Sequence, residues 1–347
     1  MATPSKIQLF LNLLLFLAFI PAAFSTAPTS SVSSIDQLQY WSKNVLNPMP
    51  KTIASKLSPL LKQDSNHFAS LVSSKQRFPF DYANFCSKAK LFCSTTLDNI
   101  RQNLGNGYNS YNIDKHASNK GNPDPNSFFR LAILKNGNKI HLPDLNDRIP
   151  FRAFLPSQIA SKISTMKSND LENFFPQSFT SPVTKEAIET SILYCSSPRL
   201  KGEIKSCPNS VEDMINFSKK SLGENKLIAL TSQSTKGSNK EVEIQNIKQF
   251  RSEKVVSCHE IFFPFATYFC HLLSSTRLYS VDVVDPATKV PVNRLLAICH
   301  MDTSGWPVEH VAFKILKFTP GRGEACHWFT QIDLVWLGNN GADQKIL

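Results

Sequence analysis

The stretch SCHEIFFPFATYFCHL, residues 257–272, decides how this chain folds. It carries the first two of four Cys-His dipeptides, which all lie in the last third of the chain: Cys258-His259, Cys270-His271, Cys299-His300 and Cys326-His327. The gaps between successive dipeptides are 10, 27 and 25 residues. Because the dipeptides use four of the eight cysteines and four of the eight histidines, chance is a poor explanation for them.

Residues 1–25 have the layout of a cleavable secretory signal. Lys6 lies in a short polar start, residues 7–20 form an apolar run, and the small residues Ala23 and Ser25 precede Thr26. The apolar run is too short to span a bilayer, and no later segment is long and apolar enough to do so. We therefore expect a mature protein without a membrane span that is exported to an oxidising space, where thiols tend to pair.

The cysteines predict a complete set of disulfides, because their number in the mature part is even. They are Cys86, Cys93, Cys195, Cys207, Cys258, Cys270, Cys299 and Cys326. Short spacing favours Cys86 with Cys93 and Cys195 with Cys207, which leaves the four dipeptide cysteines to pair among themselves. Such pairing would gather four imidazoles, although adjacent residues of a strand point to opposite faces and convergence is therefore not assured.

A cluster of imidazoles without a thiolate suits copper, zinc or nickel. With the thiols oxidised in an exported protein, redox-active copper is the best candidate, and zinc remains open. The predicted metal ligands are His259, His271, His300 and His327. The alternative is that the cysteines are only cross-links and each histidine is an ordinary half-buried residue that forms hydrogen bonds.

The formal net charge of +11 comes from lysines and arginines that are scattered along the chain. This distribution favours adhesion to an acidic matrix, such as anionic polysaccharide or a membrane surface. A merely soluble lysine-rich surface is an equally good interpretation. We find no aromatic-and-basic motif for nucleic acid and no placed pair of catalytic carboxylates, which argues against a glycosidase.

The pattern along the chain predicts an α+β fold with a mainly antiparallel β end, cross-linked by disulfides. We divide it into a signal peptide (1–25), an N-terminal segment with a helical part and an Asn/Gly-rich linker (26–127), and a folded domain (128–347). Helices are expected over residues 156–166 and 210–220, the second with Ser210 as its cap. One glycosylation sequon begins at Asn216, on that second helix.

Alternating apolar residues predict three strands in the C-terminal region. The first covers residues 277–284. The second contains Val311, Phe313 and Ile315. The third contains Ile332, Leu334 and Trp336. The runs are separated by turn signals such as Asp285-Pro286 and Pro320-Gly321, as in an antiparallel β domain.

The spacing of the four dipeptides resembles the signature of the plant BURP domain. Other short motifs match that family in the expected order, among them Phe128-Phe129, Lys201-Gly202-Glu203 before Cys207, and Trp328 after the last dipeptide. The resemblance covers about residues 128 to 337 and implies the BURP fold. It also implies that His259, His271, His300 and His327 are copper ligands. His310, ten residues after His300, is a candidate for an extra ligand or for a group behind a ligand, but a surface or core histidine is the better interpretation.

The region before residue 128 resembles the BURP subgroup typified by the noncatalytic β subunit of polygalacturonase. The matching motifs include residues 39–43 and residues 85–93. Members of that subgroup usually continue into a long array of Phe-x-x-Tyr repeats. Here only Tyr108-Asn109-Ser110-Tyr111 is similar to such a repeat, which puts the wall-anchoring role of the array in doubt for this chain.

The resemblance implies two functions of different classes. One is a copper-dependent, autocatalytic peptide cyclase that links a Trp or Tyr side chain to an unreactive atom of a core peptide, a reaction that needs an oxidant beyond ordinary side chains. The other is a noncatalytic protein of the apoplast or cell wall that associates with polygalacturonase or pectin; a vacuolar location is also open. Candidate cores on this chain are residues 37–41, 76–82 and 108–111, and a separate precursor peptide is the alternative.

Overall fold

The computed structural model of the protein describes residues 32–74, 82–93, 124–147, 149–163, 168–342 and 344–346. The predicted signal peptide, most of residues 76–82 and residues 108–111 lie outside these ranges. The α-helices in the described part are α1 (Ser33–Asn44), α2 (Lys51–Ala54), α3 (Lys62–Ser73), α4 (Tyr82–Ala89), α5 (Ser157–Ile163), α6 (Ser168–Phe174), α7 (Pro182–Ser196), α8 (Val211–Leu222) and α9 (Val311–Leu316). None of the helices among these residues is long and apolar enough to cross a membrane.

The strands of the described part form two antiparallel sheets. They are β1 (Phe128–Phe129), β2 (Lys139–His141), β3 (Ile204–Ser206), β4 (Leu227–Leu230), β5 (Glu241–Phe250), β6 (Val256–Ile261), β7 (Thr267–Leu272), β8 (Thr276–Val284), β9 (Pro291–His300), β10 (Ala325–Trp328), β11 (Leu334–Gly338) and β12 (Gln344–Ile346). The first sheet has the order β1-β10-β9-β8-β5-β12, with β2 also paired to β5. The second sheet has the order β3-β7-β6-β11-β4. The prediction of an α+β fold with disulfides is confirmed.

Most of the element predictions are confirmed. Helix α8 begins after Ser210, whose side chain accepts the Asp213 N–H, and it ends at Gly223 in the left-handed conformation that favours glycine. Helix α5 confirms the first part of the helix expected over 156–166, whose residues 164–166 lie outside the described ranges. Strand β8 lies where it was expected, and β11 covers the main part of the third predicted strand.

The strand predicted around Val311, Phe313 and Ile315 is wrong, because these residues form helix α9. The helix has only six residues, and an apolar run this short does not distinguish a strand from a buried helix by its alternation. Its first three residues, 311–313, are all buried, which a half-buried strand would not allow. His310 begins the helix, since its Nδ1 accepts the Ala312 N–H.

The N-terminal helices pack into the same body as the two sheets. Phe68 of α3 and Phe85 of α4 are buried in one apolar cluster with Ile159 of α5 and Phe265. Backbone hydrogen bonds join the two parts as well, for example from the Phe154 N–H to the carbonyl oxygen of residue 56 at 2.7 Å. Residues 32–74 and 82–93 therefore complete the core of the domain that follows them.

A buried ion cluster strengthens this junction. Glu260 of β6 contacts Lys56 through one carboxylate oxygen and Arg152 through the other, the latter at 2.6 Å. All three side chains are almost fully buried. Because a charge taken out of water needs a partner, the two cations and the carboxylate depend on one another.

Candidate functional site

The opening stretch forms a hairpin whose register explains where its histidines lie. In the β6–β7 pair, Cys258 is directly opposite Cys270, and a disulfide joins them. Neighbouring residues of a strand point to opposite faces, so both cysteines lie on one face and both histidines lie on the other. The same register makes His259 and His271 diagonal neighbours, with ring centroids 5.9 Å apart.

The other two dipeptides repeat this arrangement in the first sheet. Cys299 of β9 is opposite Cys326 of β10 and is joined to it, so His300 and His327 share the opposite face of that sheet. Their ring centroids are 5.6 Å apart. When a cross-strand disulfide joins two Cys-His dipeptides, the strand register alone places the two imidazoles of these dipeptides side by side.

The two sheets bring the two histidine pairs into one cluster. His259 lies 5.5 Å from His327, and His271 lies 6.2 Å from His300, measured between ring centroids. The four rings form a closed circuit in which each has two histidine neighbours. We call these four side chains the histidine cluster. The convergence that the sequence left open is therefore present.

Aromatic side chains surround the histidine cluster and keep water away. Phe329 stacks on His259 at 5.3 Å, Phe269 packs on His271 at 4.9 Å, and Phe128 meets His327 edge to face. Burial lowers the pKa of His271 and lowers the pKa of His300 and His327 well below the ordinary value, with the neighbouring imidazoles acting in the same direction. These three imidazoles are therefore neutral near pH 7.

Two of the histidines have a carboxylate beside Nδ1. His271 Nδ1 lies 3.2 Å from a Glu203 oxygen, and His259 Nδ1 lies 3.4 Å from an Asp333 oxygen, close enough for an electrostatic contact. Burial alone would raise the pKa of Glu203, but the hydrogen bonds from His271 and from the Leu200 N–H lower it below its usual range. Glu203 is therefore ionised, and it holds the His271 ring by accepting a hydrogen bond from its Nδ1–H.

The other two histidines have neutral oxygens beside Nδ1. His327 Nδ1 lies 3.2 Å from the Trp328 carbonyl oxygen, which can only accept. His300 Nδ1 lies 3.4 Å from the Thr276 hydroxyl, whose own hydrogen is donated to the Leu273 carbonyl. Both imidazoles therefore carry their hydrogen on Nδ1, and Nε2 holds the lone pair. This tautomer is the one that metal-ligating histidines adopt when Nδ1–H is held by an acceptor.

The chemistry of these donors fits a metal ion, although the rings stand further apart than ligands do. Among the residues that the structure describes, no three His, Cys, Asp or Glu side chains are arranged to hold a metal ion. Imidazole ligands place their nitrogens about 2.0 to 2.1 Å from zinc, for example, so the rings would have to move inward. All eight cysteines are in disulfides, so imidazoles are the strongest donors at the cluster.

The disulfide predictions are confirmed throughout. Cys86 pairs with Cys93, Cys195 pairs with Cys207, and the four dipeptide cysteines pair among themselves. Sequence reasoning missed the groups around the histidine cluster, namely Asp333, Thr276 and Trp306. Glu203 entered only as part of a family motif. These residues lie on other elements, and no spacing rule connects them to the dipeptides.

His310 lies near the cluster but has a structural task of its own. Its Nδ1 accepts the Ala312 N–H at 3.2 Å, so its hydrogen is on Nε2. Its ring packs against Trp306 at 4.4 Å and against Phe128. These contacts are those of a buried core histidine, the interpretation that the sequence favoured over a ligand or a group behind one.

The first candidate core peptide, residues 37–41, is part of α1. Trp41 is only 2% exposed, its ring lies 5.3 Å from that of Trp336, and its Nε1–H bonds to the Asn47 carbonyl. Gln37 is buried and bonds to Leu155 and Ser58. Trp41 and Gln37 therefore have packing and hydrogen-bonding roles inside the folded domain.

The predicted glycosylation site lies on α8. Asn216 is exposed, and its side-chain oxygen accepts the Tyr40 hydroxyl at 2.5 Å, whereas Ser218 of the same sequon is fully buried. Glycosylation at Asn216 stays a prediction.

Comparison with known proteins places the domain. The family model for the BURP domain matches residues 127–338. The chain is 41% identical over 218 residues to "Polygalacturonase-1 non-catalytic subunit beta" of Solanum lycopersicum, a match that covers 61% of this chain and 34% of that protein. It is 39% identical over 219 residues to "Polygalacturonase 1 beta-like protein 1" of Arabidopsis thaliana, covering 61% of this chain and 35% of that protein.

The chain spans about a third of the length of these polygalacturonase-related proteins. A relative of similar length is "BURP domain-containing protein 16" of Oryza sativa subsp. japonica, 30% identical over 351 residues, which covers 97% of this chain and 98% of the relative. The domain match and this full-length match agree with the dipeptide spacing and with the disulfide-linked fold. The chain belongs to the BURP-domain family of plant proteins.

Proposed function

We propose that this protein is a secreted, wall-located partner of a polygalacturonase and has no hydrolytic activity of its own. The observation that carries the proposal is the 41% identity to the tomato non-catalytic subunit. The matched region is the BURP domain itself, so the domain is the part to which we assign the interaction. The formal net charge of +11 supports the same role, because pectin and its fragments are polyanions.

Binding of the secreted full-length protein to a purified plant polygalacturonase tests this proposal. The two proteins should co-elute in size-exclusion chromatography, and this protein should be retained on polygalacturonate at about 0.15 M salt and released near 1 M, where charges are screened within about 3 Å. An unrelated disulfide-linked protein of equal net charge is the control. Separate elution of the enzyme, together with retention no better than that of the control, would contradict the proposal.

We also propose that the histidine cluster binds copper. Four buried imidazoles support this proposal. Three of them are neutral, and all four have an acceptor oxygen beside Nδ1. His259, His271, His300 and His327 would hold the ion through nitrogen, a donor that suits copper, while zinc has the same requirement. A bound copper ion would supply redox chemistry that the side chains lack.

Metal analysis of the protein, secreted in the presence of copper and zinc and then dialysed, tests this site. The native chain should retain copper, and His271→Ala should lose most of it. His141→Ala is the matched control, because His141 is an exposed histidine of β2. Equal copper in His271→Ala and in the native chain would rule out the cluster as the binding site.

A copper-dependent peptide cyclase is the second candidate function, and the histidine cluster is the observation that favours it. The reaction would join an aromatic ring atom to an aliphatic carbon of a peptide. Each atom would lose one hydrogen, and two electrons and two protons would pass to dioxygen. The copper-loaded protein should then show a loss of two hydrogens by mass spectrometry, in residues 26–127 or in an added precursor peptide. An unchanged mass in both experiments would exclude the cyclase, and the non-catalytic role would be the remaining proposal.

A further inference from the structure

Trp306 lies beside the histidine cluster and is held firmly there. It belongs to the connection between β9 and α9, and it is only 5% exposed. Its ring meets His300 edge to face at 5.2 Å. The connection is fixed because the Trp306 N–H bonds to the Thr303 carbonyl and the Thr303 hydroxyl bonds to the Gly323 carbonyl. Neither the BURP spacing nor the proposed ligand set includes this tryptophan.

The polar atoms of these two adjacent rings are complementary and unused. Trp306 Nε1 is a donor, and His300 Nε2 is an acceptor in the tautomer derived above. Both atoms are buried and have no hydrogen-bond partner among the residues that the structure describes. A buried polar group without a partner costs about 1 to 3 kcal/mol. If the proposed metal takes the lone pair of His300 Nε2, the Trp306 N–H remains a donor beside the metal, and this indicates a small ligand with an acceptor atom between the two.

We propose that Trp306 is a positioning residue of the histidine cluster, and that its indole N–H donates a hydrogen bond to a small anion or carbonyl oxygen bound on the metal at His300. This inference rests on the proposed copper site. It adds a ligand pocket to that site. The metal would bind the ligand from one side, and the Trp306 N–H would bind it from the other. Small anions are the simplest members of the ligand class, because the donor and the cation both favour negative charge.

Azide binding to the copper-loaded full-length protein tests the inference. Azide on Cu(II) is followed by its charge-transfer absorption, and Trp306→Phe keeps the aromatic packing while it removes the N–H. We expect the copper content to be unchanged and the azide affinity to fall about tenfold, as for the loss of a hydrogen bond to a charged group. Trp336→Phe is the matched control. Within the described part of the chain, Trp336 Nε1 is also buried without a partner, and its ring packs on Trp41.

Two results would overturn the inference, and they are distinguishable. If Trp306→Phe binds copper and azide as tightly as the native chain, the role of Trp306 is wrong and the metal site stands. If the native chain binds no copper, the metal site is wrong and the inference fails with it. Should Trp306→Phe not fold, the native zinc-loaded protein gives a second measurement: azide should move one of the four indole N–H resonances downfield. Four unmoved resonances would exclude the hydrogen bond.

Discussion

Individual residues around the histidine cluster determine which form of each imidazole is present. Glu203 illustrates this point, because its carboxylate accepts both the His271 Nδ1–H and the Leu200 N–H. The carboxylate thereby fixes the ring and leaves the lone pair on Nε2. The dipeptides place the imidazoles, and neighbours such as Glu203 determine which ring nitrogen carries the hydrogen.

Glu203→Gln should weaken copper binding by about tenfold or more, since loss of the group that orients a metal-ligating histidine has effects of this size. Gln keeps the shape and removes the charge. The measurement is a competition titration with a chelator of known affinity. Glu243→Gln, which affects an exposed pair with Lys289, is the control and should leave copper affinity unchanged. Equal affinities in both variants would exclude an orienting role for Glu203.

Glu260→Gln should lower the free energy of unfolding by about 3 to 5 kcal/mol, because it leaves the buried cations Lys56 and Arg152 without a counter-charge. Urea denaturation followed by tryptophan fluorescence measures the difference. Glu243→Gln again serves as the control, with an expected change below about 1 kcal/mol for a surface pair. A loss as small as that of the control would show that the buried cluster is not needed for stability.

His310 should make the protein less stable in acid. Burial lowers its pKa to about 3. The unfolded chain therefore takes up the proton first as the pH falls below about 6.5. Stability from this group is fully present above pH 6.5 and declines toward pH 3, with a slope of at most about 1.4 kcal/mol per pH unit. His310→Asn keeps an acceptor for the helix start and does not titrate.

Unfolding free energies of the native chain and of His310→Asn at pH 7, 5.5 and 4 check this prediction. His300 and His327 lie within electrostatic range and titrate in both proteins, so the difference in slope isolates His310. Parallel pH profiles would contradict it.

Each of the two dipeptide disulfides joins a pair of neighbouring strands. Both join directly opposed residues, but the sequence separation is 12 for Cys258–Cys270 and 27 for Cys299–Cys326. The second disulfide closes the longer loop and restricts the unfolded chain more. It should therefore contribute more to stability.

Replacing Cys299 and Cys326 by alanine should lower the free energy of unfolding by about 0.7 kcal/mol more than the same change at Cys258 and Cys270, from the logarithm of the loop lengths. The two double variants are matched controls for each other, because both remove a cross-strand disulfide beside two histidines. Denaturant unfolding of the two proteins gives the comparison. A larger loss at Cys258 and Cys270 would show that native-state packing outweighs the loop effect.

Dipeptide spacing and export predicted the disulfides, but the position of the imidazoles depends on strand register. Cys258 and Cys270 had to be directly opposed before His259 and His271 could share a face, and no composition or spacing gives that register. Glu203 is 68 residues from His271 in sequence, so only tertiary contact reveals the pair. Helix α9 was missed because six residues carry too little periodicity.

The whole molecule extends beyond the part that the family model matches. That match begins at residue 127, whereas residues 32–74 and 82–93 fill one side of the core and supply Lys56 to Glu260. A chain beginning at residue 124 would expose apolar surface around Phe265 and leave a buried carboxylate short of one partner. The folded unit therefore extends back at least to the helices that begin at residue 33.

A chain of residues 124–347 should lack a cooperative thermal transition, and the chain of residues 32–347 should have one. Near-ultraviolet circular dichroism during heating measures both. Residues 32–347 with Glu243→Gln, a change at a surface ion pair, are the control and should unfold like their parent. Cooperative unfolding of residues 124–347 at the parent's temperature would mean that the N-terminal helices are dispensable.

The strand register has one more consequence, which concerns chemical insulation. In every dipeptide the sulfur and the imidazole emerge on opposite faces of a sheet, and the sulfurs of Cys258 and Cys299 are already oxidised to disulfides. Free thiols near an oxidising centre are converted to sulfenic and higher acids. Here the thickness of a sheet separates the cross-links from the imidazoles. An oxidant bound among the histidines would therefore meet aromatic rings and not the bonds that hold the strands together.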